Sequence, residues 1–118
     1  MPAPDSAGDS DTAQRFKRRA ANLEVNGRRV NEAIKRGGDQ GSAVFVCECG
    51  LLGCSETLEL SISEYEAVRT DFDRFLIVPG HEIDEVDEVV ERQSGYFVVV
   101  KREPEAKALA HATDERTP

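Results

Sequence analysis

The chain has 118 residues, a formal net charge of -8 and 39% hydrophobic residues, enough for one small domain whose core gains from a covalent or metal staple. No apolar run approaches the roughly 20 residues that a membrane-spanning helix needs, and MPAPDSAGDSDT lacks the basic-then-apolar pattern of a secretion signal. Both features point to the cytoplasm, where thiols stay reduced, and three cysteines cannot form a self-contained disulfide framework.

Residues 1–11 are small, polar and acidic, a composition that predicts disorder. A basic amphipathic helix is expected over 12–36, starting at a capping-box-like Asp11 and Gln14 and ending at Gly37 and Gly38. Its apolar stripe is Phe16, Ala20, Leu23, Gly27, Val30 and Ile34, with 25-VNG-27 as a potential break. This segment carries eight basic residues against Glu24 and Glu32, a local net of +6, which leaves -14 on the rest of the chain. It either faces an anionic partner or stays in water against the chain's own acids, and solvated faces are the usual fate of charge runs.

Strands are predicted over 43–46 and 56–60, on either side of a cysteine loop. Ser63 and Glu66 form an SxxE box opening a helix over 64–72, with Tyr65, Val68 and Phe72 on one side. The apolar run 74-RFLIV-78 reads as a strand closed by Pro79 and Gly80, and 86–103 as a hairpin turning at Ser94-Gly95. The acids between Glu82 and Glu91 lack calcium-loop spacing and read as a solvated, repulsive face. From Pro104 the chain is alanine-rich and charged, and a flexible tail over 104–118 is expected. The fold class is thus α+β, a small zinc-stapled domain over 43–103 with short antiparallel strands and a hairpin, preceded by an amino-terminal helix.

The chemistry is concentrated in 45-FVCECGLLGCSE-56. Cys47, Cys49 and Cys54 make a CxCx4C pattern, and Gly50 and Gly53 let the backbone turn so that three sulfurs converge. Structural zinc takes four ligands, and His81, in the turn after the apolar strand, is a better fourth than His111 in the tail. Three thiolates and an imidazole fill the shell and leave no open position, which points to a structural rather than a catalytic metal. Glu48 and Glu82 flank the ligands and could serve as a base, but acids are so frequent in this chain that proximity in sequence says little. No phosphate-binding glycine loop or nucleophile elbow is present. The residues therefore favour a non-enzymatic zinc-binding module whose partner is another protein. A nucleic-acid-associated regulator using the basic helix and a thiol redox sensor are the alternatives, and no membrane partner is expected.

The run CECG…C, ELSISEYEAVR, RFLIVPGHE and EVVER..GYFVVVK resembles a family of small, uncharacterised bacterial proteins that carry a CECxxxxC motif, an EYExVR helix and a PGHE turn. The resemblance covers about residues 28–101. It implies that Cys47, Cys49, Cys54 and His81 belong to one module, and it brings no activity with it. Ser61, Ile62 and Ser63 stand where the family pattern has Leu-Thr.

Overall fold

A computed structural model of the protein describes residues 4–38 and 40–116. The disorder expected for residues 1–3 and the end of the tail at 117–118 lie outside the described residues. The elements are α1 (Pro4–Arg36), β1 (Ser42–Val46), β2 (Thr57–Ser61), α2 (Ile62–Val68), β3 (Arg74–Ile77), β4 (Asp87–Arg92), β5 (Phe97–Lys101) and α3 (Pro104–Ala112). The architecture is α+β, as the sequence predicts. Antiparallel β1 and β2 form one sheet, and β3-β5-β4 form a second, also antiparallel. No helix among the described residues is long and apolar enough to cross a membrane.

Alternation in the strands places the core. Phe45 of β1 and Leu58 and Leu60 of β2 face inward with Tyr65 of α2, whose ring stacks on Phe45 at 4.3 Å between centroids. Phe75, Leu76, Ile77, Val98 and Val99 complete the same cluster from the second sheet. The predicted hairpin is present, with Gln93 N donating to Tyr96 O across the Ser94-Gly95 turn. A register shift between Val89 and Glu91 bulges β4, one of the sheet's two edge strands.

Four expectations about the extent of the elements differ from the structure. First, α1 starts at Pro4 rather than near Asp11, so residues 4–11, expected to be disordered, are helical. Second, α1 runs unbroken through 25-VNG-27, because Gly27 is an approach point: a Cβ there would lie 3.0 Å from Glu48 Cα. Third, the cap of α2 is Ser61, not Ser63. Ser61 Oγ accepts from Glu64 N and Glu64 Oε1 accepts from Ser61 N, and the helix ends at Val68. The competing SxxE pair sits two residues too late, since Ile62 is the first helical residue and is buried in the core. Fourth, the expected tail forms α3, which docks because Arg28 of α1 donates to Ala110 O and Thr113 Oγ1 at 2.7 and 3.0 Å. Beyond it, Arg116 binds Glu32 at 2.7 and 2.9 Å.

The buried face of α1 also differs from the apolar stripe. Ala20, Ala21, Glu24, Val25, Arg28, Asn31 and Glu32 are buried, whereas Phe16 and Val30 are exposed. Arg28, Asn31 and Glu32 occupy this face because each finds a hydrogen-bond partner across the interface. Nor are the acids of 82–91 all solvated. Asp87 is buried, takes the ammonium of Lys101, and accepts from Ile83 N at 3.1 Å. Lys101 also lies against Glu24 Oε1, a charge contact without hydrogen-bond alignment, so Glu24 has no hydrogen-bond partner.

Two predictions follow from this packing. A Cβ at Gly50 would stand 2.7 Å from Ala20 Cβ, so α1 meets the cysteine loop with no spare room. Ala20→Leu is expected to destabilise the protein by about 1–3 kcal/mol in chemical denaturation through overpacking. Burial pushes the Glu24 carboxyl up to about 9, against the pull of Lys101. Between about pH 4.5 and 9 the folded protein holds a proton that the unfolded chain releases, so this group makes stability fall as pH rises. Thermal melts of wild type and Glu24→Gln across this range should diverge by roughly 1 kcal/mol per pH unit, with the variant gaining toward high pH.

Candidate metal centre

Three chain segments build the site. β1 delivers Cys47 at its end, the loop before β2 supplies Cys49 and Cys54, and the turn after β3 supplies His81. Cys47 N donates to Glu56 O at 3.0 Å, extending the β1–β2 ladder by one pair and fixing the loop's two ends. Within the loop, Cys54 N donates to Leu51 O at 3.3 Å in a turn whose third residue, Gly53, has φ +82°. That left-handed position favours glycine. Gly50, by contrast, is needed for the close approach of Ala20 rather than for turning. On the other segment, Gly80 at φ +95° and the bond from His81 N to Val78 O at 3.0 Å return the chain so that the imidazole faces the sulfurs.

The structure brings all four expected ligands together: one donor atom from each of Cys47, Cys49, Cys54 and His81 lies within 4.8 Å of every other. His81 Nδ1 is 3.6 Å from both Cys47 Sγ and Cys54 Sγ. A tetrahedral ion with bonds of about 2.3 Å to sulfur and about 2.0–2.1 Å to nitrogen holds S and N about 3.6 Å apart, so these two edges already have the required length. Sulfurs around the same ion stand about 3.8 Å apart, and the widest edge of the cluster would draw in by at most about 1 Å. The donor set fits a closed, thiolate-rich metal site.

Val78 N donates to Cys47 Sγ at 3.2 Å, and the nearby backbone groups of Leu51 and Glu56 favour the thiolates of Cys49 and Cys54. Such donors stabilise thiolate charge. With protons alone, the cluster concentrates its ionisation on one thiol. The hydrogen bond from Cys47 pulls Cys49 down to about 5, the same bond and burial push Cys47 up, and burial pushes Cys54 up. A divalent cation held by these residues would replace the remaining protons, coupling its binding to proton release.

Glu56 is the residue that the sequence reading missed. Its Oε2 lies 2.8 Å from His81 Nε2, the carboxylate–imidazole arrangement that fixes a metal-binding ring with its other nitrogen toward the ion. Nothing in its local pattern sets it apart from neighbouring acids, because the pairing exists only once β2 and the His81 turn are adjacent. His111 lies elsewhere, on α3, edge-on to Phe72 at 4.9 Å between centroids.

Neither flanking acid is placed as a base. Glu48 points from between two ligands into the core, where Arg69 binds it at 2.7 and 3.0 Å, Leu76 N donates at 2.8 Å and Asn31 Nδ2 at 2.7 Å. Glu82 accepts from Gly80 N at 3.0 Å. No protein-family model, curated protein or solved structure matches the chain.

Glu56→Ala should leave the fold intact and weaken metal retention about tenfold, the lower end of the range for outer-shell carboxylates, because Glu56 is largely exposed. Competition with a chromophoric chelator measures this directly.

Proposed function

We propose that this protein is a non-enzymatic, cytoplasmic protein-interaction module held together by a structural zinc ion. The observation that carries this reading is the closed donor set: three thiols and a histidine converge, with His81 Nδ1 at tetrahedral distance from two sulfurs. Sulfur-rich coordination selects zinc over hard cations, and a lone iron–sulfur cluster usually takes four cysteines. Four protein donors leave no position for substrate or water, and three thiolates make the ion a weak Lewis acid.

The site's place in the fold supports a structural role. It joins the β1–β2 sheet to the turn after β3, so an ion there would add a cross-link between Cys47 and His81 beside the Glu48–Leu76 and Val78–Cys47 hydrogen bonds. Small domains commonly obtain part of their folding energy this way. Interaction with another protein then depends on the surfaces that the staple holds in place.

Elemental mass spectrometry on untagged protein is expected to find about one zinc per chain. His81→Ala should lower the affinity and the melting temperature, whereas His111→Ala should change neither. Metal-free protein with a wild-type melt would overturn the reading.

A further inference from the structure

We propose that α1 and the cysteine loop together form a docking groove for an acidic amphipathic helix of a partner protein. This rests on the interaction-module reading and names its surface. A groove of about 260 Å³ separates the two elements, walled by Leu23, Asn26 and Val30 on α1 and by Val46, Leu51 and the cysteine cluster opposite. Val30 on this wall is 47% exposed, and outside the groove Leu52, next to Leu51 in the loop, and Phe16, further along α1, are 70% and 38% exposed. Phe16, Leu23 and Val30 are spaced by seven residues, so they share one helix face over about 21 Å. This length and spacing match a second helix lying alongside, with an apolar residue at every second turn.

The charge around the stripe has one sign. Glu24 and Glu32 are the only acids of α1 from Thr12 onward, and both are buried against the body, beside Lys101 and Arg116. Arg19, whose guanidinium lies over the Phe16 ring, and Arg29 are exposed along the same stretch. A partner must therefore offer apolar side chains flanked by carboxylates. A second copy of this chain does not: its own α1 is equally basic, and α3, at nine residues, spans only about 14 Å. Nucleic acid matches the arginines but gives Leu23, Val30, Leu51 and Leu52 nothing to pack against.

The test is selection of a displayed library of random 18-residue peptides on the metal-loaded full chain, followed by anisotropy titration of the enriched peptide. Enriched sequences should be net negative, with apolar residues at i, i+3 or i+4, and i+7. Val30→Asp and Leu52→Asp should each weaken binding at least about tenfold, while Val90→Asp on β4 leaves it unchanged. Arg29→Glu should weaken binding, and an acid-to-lysine change in the peptide should restore it. Enriched peptides that are not acidic, or that ignore Val30 and Leu52, overturn the groove and leave the zinc module standing. The same residues mediating binding to phosphatidylserine vesicles, to duplex DNA or to a second copy in sedimentation also overturn it. A chain that holds no metal yet selects acidic peptides through Val30 keeps the groove and refutes the staple.

Discussion

The ion pair between Glu48 and Arg69 is the constraint on which the rest of the structure depends. Glu48 lies between two metal-site cysteines, and both partners are essentially inaccessible to water. One carboxylate thereby joins four elements: the end of β1 that carries it, Asn31 of α1, Arg69 just after α2, and Leu76 of β3. The backbone follows the same path, with Glu48 N donating to Leu76 O at 2.7 Å, the direct link between the two sheets. Arg69 in turn donates to Arg74 O and lies over the rings of Tyr65 and Phe75. Desolvating two charges is expensive, and such a pair is tolerable only when nearly every lone pair and proton is used. Here that condition is met at the carboxylate, and Arg69 Nε alone lacks a partner.

This arrangement explains how a short CxC spacing can serve a metal site. In an extended chain, residues i and i+2 point the same way and the residue between points opposite. Cys47 and Cys49 therefore face the ligand cluster while Glu48 faces the core, and the core's grip on Glu48 sets the direction of both sulfurs. Asn31 strengthens the grip by exchanging two hydrogen bonds with Val46, Nδ2 to O at 2.8 Å and N to Oδ1 at 2.7 Å, in the manner of an added strand. The loop's position against α1 is then fixed by contact at Ala20–Gly50 and Gly27–Glu48, where only small residues fit.

Much of this was legible in the sequence, and the part that was not has a common cause. Alternation and turn residues predict the strands and the hairpin at Ser94-Gly95, because those signals are local. The cysteine spacing and the PGH turn likewise lead to all four members of the cluster. The buried face of α1 escaped because periodicity counts apolar residues, and this helix buries Glu24, Arg28, Asn31 and Glu32 instead. Their partners are Lys101, the Phe72 and Ala110 carbonyls, Glu48 and Arg116, at separations of 17 to 84 residues, adjacent only in the folded chain. Docking of α3 was missed for the same reason, since its alanine-rich sequence becomes a helix in place once Arg28 meets its last carbonyls.

A polar interior of this kind changes how the basic segment should be understood. An amphipathic helix that buried Phe16, Leu23 and Val30 would have kept its charges in water and its apolar stripe hidden. Here the acidic residues are drawn inward to meet Lys101 and Arg116, and the apolar positions are left outside beside the arginines. The helix thus acquires a surface that is both greasy and cationic without any gain in overall positive charge, in a chain that remains at -8. Local composition, rather than the net charge of the protein, decides what such a surface attracts, since charges beyond about 8–10 Å are screened at physiological salt.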